Sequence, residues 1–150
     1  MNIYKSPNSD LNSDQEGDPQ FVKFYVLGTM YALSMTFIIS AVIGLFAIQM
    51  FGYNISNVAE LEAIYSDSRL LVIDLVVTIA CLYFSGYVAA KYLVQNYIYH
   101  GGVLGIIVLV FVVLLLVSTD GYDDLPFWYN FLSFAIIVPS VALGSFKRKV

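Results

Sequence analysis

The stretch that decides the fold is VLGIIVLVFVVLLLV, residues 103–117. It contains no charged residue, no polar side chain and no proline. Its apolar residues form an unbroken block instead of the spaced stripe of a soluble amphipathic helix, and such blocks are typical of membrane-spanning helices. We therefore predict an α-helical membrane span over about residues 102–118.

Three further apolar blocks predict three more spans, at about residues 21–51, 70–93 and 126–146. Over the whole chain 59% of residues are hydrophobic and 12% are charged, whereas a soluble domain has roughly 45–50% apolar and about 25% charged residues. A soluble fold of this composition would lack the polar surface to cover itself. The chain has 150 residues, so one domain is expected. We predict an all-α, integral-membrane four-helix bundle over residues 21–150.

The segments around these spans have their own signals. Residues 1–20 are polar and acidic, which predicts a disordered tail, and they lack the basic start and early apolar core of a signal peptide. Asn57 and Glu60 form a capping-box pattern that predicts a short amphipathic surface helix between the first two spans. Pro139 lies inside the fourth span, where we expect it to kink the helix.

The distribution of basic residues predicts the orientation of the bundle. Lysine and arginine near the ends of spans favour the cytoplasmic side. In a four-span chain, six basic residues fall on the side of the two termini and only Arg69 falls on the other. We therefore expect both termini in the cytoplasm. The six are Lys5 and Lys23, Lys91, and the group Lys147, Arg148 and Lys149.

Small residues recur at helical spacing in all four predicted spans. In lipid, helices associate through close backbone approach, which small residues permit. These stripes predict either packing within the bundle or a surface for another protein or a second copy of the chain. They comprise Gly28, Ala32, Thr36, Ser40 and Gly44 in the first span, Thr78, Gly86 and Ala90 in the second, Gly101 and Gly105 in the third, and Ser140 and Gly144 in the fourth.

Asp74 is the best single candidate for a functional side chain. An ionisable residue within a span is costly and is a functional hypothesis by default. It lies near the start of the second span, where contact with interfacial water, or the favourable field of a helix N-terminus, is the alternative explanation. Gln49 lies late in the first span on the same side, and we expect that it could form a hydrogen bond with Asp74.

Other residue types give no sign of a metal, cofactor or nucleic-acid site. His100 is the only histidine and Cys81 the only cysteine, whereas a haem held between helices or a zinc ion needs more ligands. Asp120, Asp123 and Asp124 lack the spacing of a calcium loop and predict a solvated acidic loop. We therefore expect no cofactor and no nucleic-acid partner, and the lipid bilayer is the one partner that the composition implies.

One segment resembles a pattern found in small multi-spanning bacterial membrane proteins. In that pattern a helix end GGYVAA-(K/R) is followed by a short loop and a helix start HG…LG. Here Ser85–Lys91 read SGYVAAK, with Ser85 in place of the first glycine, and His100–Gly101 and Leu104–Gly105 follow. The resemblance implies a tight cytoplasmic hairpin and a bacterial inner-membrane location. It implies no activity.

Three functions are compatible with the sequence. The first is a non-enzymatic accessory, assembly or interaction component, which the small-residue stripes and the scarcity of intramembrane polar groups favour. The second is a small oligomeric transporter or channel that uses Asp74. The third is a membrane enzyme acting on lipid, which would need a polar cluster around Asp74 and the acidic loop. A cavity lined by Asp74 would favour the second hypothesis over an interfacial role for this residue.

Overall fold

The computed structural model of the chain describes residues 19–53, 66–93, 96–118 and 125–147. These residues form four α-helices and no strand, and each helix is long and apolar enough to cross a bilayer. The prediction of an all-helical chain with four candidate spans is thereby confirmed. The helices are α1 (Pro19–Met50), α2 (Ser68–Ala89), which a 3-10 turn (Ala90–Tyr92) extends, α3 (Tyr97–Ser118) and α4 (Phe127–Lys147).

Three helices begin earlier than the sequence suggests, and α2 does so at Ser68 instead of about residue 70. α1 begins at Pro19, inside the predicted tail, because proline suits the first helical turn, where its missing N–H is harmless. α3 begins at Tyr97 instead of about residue 102. The Gly101–Gly102 pair indicated a helix start, yet both glycines lie within α3. Contact with α4 at Gly101 compensates for the low helix propensity of glycine there.

Several predicted features lie outside the described residues. They are most of the tail, at residues 1–18, the amphipathic helix of residues 54–65, the acidic loop of residues 119–124, and the basic residues Arg148 and Lys149. Within α4 the helix continues through Pro139.

The helices pack as neighbours in the order α1, α2, α4, α3. α1 and α3 touch much less, and their contacts lie at one end of the bundle. There Tyr25 is hydrogen-bonded to His100 at 2.7 Å, and Gly28 lies against Leu104. We name this the His100 end and the opposite end, where α1 finishes and α2 begins, the Asp74 end.

Glycines bring α4 into backbone contact with α2. A Cβ at Gly144 would overlap the carbonyl oxygen of Tyr83, and a Cβ at Gly86 would overlap that of Val141. The Ser145 hydroxyl also donates to the carbonyl oxygen of Gly86 at 3.2 Å. This crossing therefore leaves no room for a side chain on either helix.

Glycines also allow close packing of α3. A Cβ at Gly105 would lie 2.8 Å from the Cα of Val138 in α4, and one at Gly28 would lie 2.6 Å from the Leu104 side chain. A Cβ at Gly44 would meet no atom within 4 Å. Gly44 therefore differs from the expectation of a packing residue, and it borders a small space between α1 and α2 instead.

Asp67 caps α2 and ties it to the end of α1. One carboxylate oxygen accepts the Arg69 backbone N–H at 2.9 Å, and the other accepts the Arg69 guanidinium and the Tyr53 hydroxyl, each at 2.7 Å. The Arg69 guanidinium also lies 4.5 Å from the centroid of the Phe51 ring. The hydrogen bonds from Arg69 and Tyr53 hold the pKa of Asp67 well below its usual range.

This lowered pKa predicts an acid-sensitive helix start. A depressed carboxyl pKa stabilises the fold above the unfolded value, about 3.9 for aspartate, and this contribution is lost as the pH falls towards the native value. We expect the thermal stability of the wild-type protein to drop more between about pH 6 and about pH 3 than that of Asp67→Asn, which keeps a capping oxygen but cannot titrate. Melting curves of both proteins test this, and equal drops would contradict it.

Candidate binding cleft

α1 and α3 separate towards the Asp74 end and leave a cleft between them. The cleft encloses a cavity of about 830 Å³. Phe37 of α1 and Leu115 of α3 line it and are 62% and 42% exposed, respectively. These partly exposed side chains form its rim, so the cavity opens sideways, in the direction that lipid chains occupy around a membrane-spanning bundle.

The cavity is closed towards the His100 end. Leu82, Val108 and Ile137 line its floor and are buried. Beneath them Phe24 and Leu104 are fully buried in the same core cluster. In this conformation the cleft is therefore a blind pocket and not a channel through the bundle.

Asp74 and Tyr129 form the polar centre of the cavity. The Tyr129 hydroxyl donates a hydrogen bond to Oδ2 of Asp74, joining α2 to α4. Both residues line the cavity and are partly buried. Asp74 thus faces an internal space, so it is placed where a ligand entering the cleft would meet it.

The remaining polar side chains lie on the walls formed by α1, α2 and α4. Thr78 follows Asp74 by one helical turn, and Ser133 follows Tyr129 by one turn, with Asn130 beside it. The wall formed by α3 is aliphatic, and its lining residues are Val108, Val112, Leu115 and Leu116. A molecule in the cleft would therefore meet hydrogen-bonding groups on one side and hydrocarbon on the other.

Two hydroxyls of α1 are buried without a hydrogen-bond partner among the described residues. They are Oγ1 of Thr36 and Oγ of Ser40, and both residues line the cavity. Serine and threonine in a helix can bond to a carbonyl of the preceding turn, but these two do not. Leaving a buried polar group unsatisfied costs about 1–3 kcal/mol, and α1 bears this cost beside the cavity.

A second, smaller cavity of about 290 Å³ lies between α1 and α2. It is lined by Gly44 and Ala47 of α1 and by Leu70 and Leu71 of α2, and Asp74 borders it as well. The carboxylate of Asp74 therefore lies between two spaces at the same end of the bundle.

The predicted pairing of Gln49 with Asp74 does not occur within the described residues. Gln49 is exposed near the end of α1, and Asp74 is bonded to Tyr129 instead. The physical reason is the direction of each side chain, because Asp74 points between α1 and α4 whereas Gln49 lies on the outer face of α1.

The small-residue stripe of α1 has two different environments. Gly28 is buried against neighbouring helices. Ala32, which is also buried, lines the large cavity together with Thr36 and Ser40, and Gly44 lines the smaller one. In the other helices the predicted residues Gly86, Ala90, Gly101, Gly105, Ser140 and Gly144 are all buried. Thr78 of α2 is only partly buried, and it borders the large cavity.

His100 lies at the opposite end from Asp74. Its Nδ1 is hydrogen-bonded to Tyr25, and the Phe21 ring lies 5.0 Å away, centroid to centroid. Cys81 is buried in α2. Across the described ranges no three histidine, cysteine or acidic side chains come together in a group that could hold a metal ion.

Three of the four basic residues that the structure describes are remote from Asp74. Lys23, Lys91 and Lys147 occur where α1 begins and where α2 and α4 end, which is the His100 end. Arg69 is at the Asp74 end but is paired with Asp67 at 2.7 Å. The carboxylate of Asp74 consequently has no countercharge within the described part of the chain.

Asp74 was predicted from the sequence as a functional residue, whereas Tyr129, Asn130 and Ser133, which also line the cleft, were not. The available signal was the four-residue spacing of polar residues in two spans, Asp74 with Thr78 and Tyr129 with Ser133, which places each pair on one helix face. The spacing alone does not show that this face of α2 and this face of α4 are directed towards each other.

Comparison of this chain with models of protein families, with curated proteins and with solved structures finds no match in any of the three.

Proposed function

We propose that this protein is a non-enzymatic interaction component of a bacterial inner membrane and that it binds its ligand in the cleft between α1 and α3. The observation that carries the proposal is that the cavity of about 830 Å³ is closed at the His100 end by packed side chains, so that it can hold a ligand without leading through the bundle. Ligand sites are typically cavities of about 300–1,000 Å³ lined by apolar side chains and a few polar groups. The cleft has this size and this composition.

The ionisable groups of the cleft favour binding over catalysis. Asp74 and Tyr129 are the titratable side chains that line it within the described residues, and they are hydrogen-bonded to each other. Thr78 and Ser133, which also line the cleft, add hydrogen-bonding capacity without adding a base or a nucleophile activator. This set can hold a polar head group against an apolar wall.

The proposed orientation places both termini in the cytoplasm. Lys23, Lys91 and Lys147 lie at the His100 end, and basic residues favour the cytoplasmic side. The Asp74 end would then face away from the cytoplasm. The resemblance of residues 85–105 to a pattern of small bacterial membrane proteins supports the inner membrane as the location.

Filling the cleft tests the proposal. Ala41 lines the cavity, whereas its neighbour Val42 does not and is 62% exposed on the outer face of α1. We expect Ala41→Trp to lower photolabelling of cavity-lining residues by a diazirine derivative of decanol about tenfold, because the indole occupies the space of the probe. Val42→Trp should leave this labelling unchanged. Labelling is measured by peptide mapping of the purified protein in a non-ionic detergent.

Two outcomes would overturn the cleft as the binding site. One is wild-type labelling that is spread over the outer faces of the helices without preference for the cavity. The other is an equal effect of Ala41→Trp and Val42→Trp, which would mean that the probe responds to the bulk of tryptophan on α1 and not to occupation of the cleft.

A second candidate function, a small transporter that uses Asp74, is favoured by one specific observation. Asp74 lines a cavity instead of facing outwards, which is the position of a substrate-binding carboxylate within a membrane protein. Transport would further require the packed floor around Phe24 and Leu104 to open. A solute flux that Asp74→Asn abolishes in reconstituted vesicles would support this candidate, and the absence of any flux would favour the binding role.

A further inference from the structure

We propose that the ligand of the cleft is a small amphiphile with a positively charged nitrogen head group, held by the carboxylate of Asp74. This inference rests on the proposed function, because it names the ligand class for the same cleft. It adds the sign of the ligand's charge and the residue that selects it.

No basic side chain in the described part of the chain is paired with Asp74. Arg69 is the one lysine or arginine between Met50 and Lys91, and none occurs between Lys91 and Lys147. Arg69 itself is engaged with both carboxylate oxygens of Asp67. A cation for Asp74 therefore has to come from outside the bundle.

The segments that connect α1 to α2 and α3 to α4 are negatively charged. Residues 54–65 and 119–124 join the helices at the Asp74 end, and together they contain five acidic residues and no basic one. An excess of one sign of charge raises the local concentration of ions of the opposite sign. The net negative charge of these connecting segments favours cationic over anionic amphiphiles.

One oxygen of the Asp74 carboxylate is available for a further hydrogen bond. Tyr129 occupies Oδ2 of Asp74, while Oδ1 has no hydrogen-bond partner among the residues described. Charge-assisted bonds from a protonated amine to a carboxylate are stronger than neutral ones. Phe37, Phe134 and Tyr129 also line the cavity, and aromatic faces attract cationic nitrogen.

The apolar wall accounts for the tail of the ligand. The α3 side of the cavity is aliphatic from Val108 to Leu116, and its rim is open to the surrounding lipid. An alkyl chain can therefore lie along α3 while the head group reaches Asp74. A fully hydrated inorganic cation would leave this apolar surface unused.

Competition against the photoreactive decanol probe tests the inference. In the wild-type protein we expect decylamine and decyltrimethylammonium to displace the probe at concentrations about tenfold lower than decanol, and decanoate to be the weakest competitor. In Asp74→Asn, which preserves the shape of the side chain, this preference for cations should disappear. Asp67→Asn is the matched control, because it removes a carboxylate at the same end that does not line the cavity, and it should retain the preference.

The neutral probe separates the two proposals. If the wild-type protein binds all four competitors equally, or if Asp74→Asn keeps the preference for amines, the charge inference fails while the cleft remains the binding site. If the probe does not label the cleft at all, the proposed function fails as well. The melting temperature of Asp74→Asn in the same detergent serves as the folding control, so that an amine preference lost in a folded variant reports on charge.

Discussion

Replacement of Gly144 by alanine is expected to destabilise the bundle by about 3 kcal/mol or more, because a single methyl group there meets backbone. The added Cβ would overlap the carbonyl oxygen of Tyr83, which belongs to α2 and cannot move aside as a flexible side chain would. Moving the helices apart would also lengthen the bond from Ser145 to the carbonyl oxygen of Gly86, now 3.2 Å. In lipid, such close packing is a main source of helix association. Thermal unfolding in detergent and the yield of monodisperse protein measure the effect.

Gly44→Ala and Gly102→Ala are the matched controls. A Cβ at either position would meet no atom within 4 Å, and alanine is a better helix former than glycine by about 0.5–1 kcal/mol. We expect both variants to be as stable as the wild-type protein or slightly more stable. If Gly144→Ala were as harmless as these two, α2 and α4 would not be in backbone contact.

Replacement of Phe24 by alanine is expected to cost about 2–3 kcal/mol, somewhat less than a comparable change in a soluble core. Phe24 is 0% exposed and packs in the cluster that closes the His100 end of the cavity. The lost contacts are van der Waals contacts with Leu104 and its neighbours. The expected loss of stability is smaller than in a soluble protein because, in a membrane, an apolar side chain gains little free energy by leaving lipid for the protein interior.

Phe46→Ala is the control for Phe24→Ala. It removes the same side chain from the same helix, but Phe46 is 68% exposed on the outer face. We expect its melting temperature to stay near the wild-type value. Equal destabilisation by the two substitutions would mean that Phe24 does not belong to a packed floor. The closure of the cleft at the His100 end would then be contradicted.

The helical segments were predictable because each depends on its own residues. A run such as residues 103–117 must satisfy its backbone hydrogen bonds internally wherever it lies in lipid, and an α-helix does so within one segment. The boundaries were less predictable, as the early start of α3 shows. Glycine at positions 101 and 102 is a helix breaker by propensity, and only contact with α4 made helix the better state at Gly101.

The candidate site was predictable in one residue and not in its surroundings. Asp74 stands out because an ionisable residue is rare within a span. Its partner was not Gln49 but Tyr129, which is 55 residues away along the chain. The hydroxyls of Thr36 and Ser40 matched the packing stripe equally well, yet they line a cavity.

The sequence by itself determined the number of candidate spans, their helical form and the distribution of basic residues between the two ends. These are local properties, set by hydropathy and charge along the chain. Only the tertiary structure decided that α1 and α3 meet at the His100 end and part at the Asp74 end. Small residues permit close approach without requiring it, so the same stripe packs tightly at Gly28 and opens into a cleft beyond Ala32.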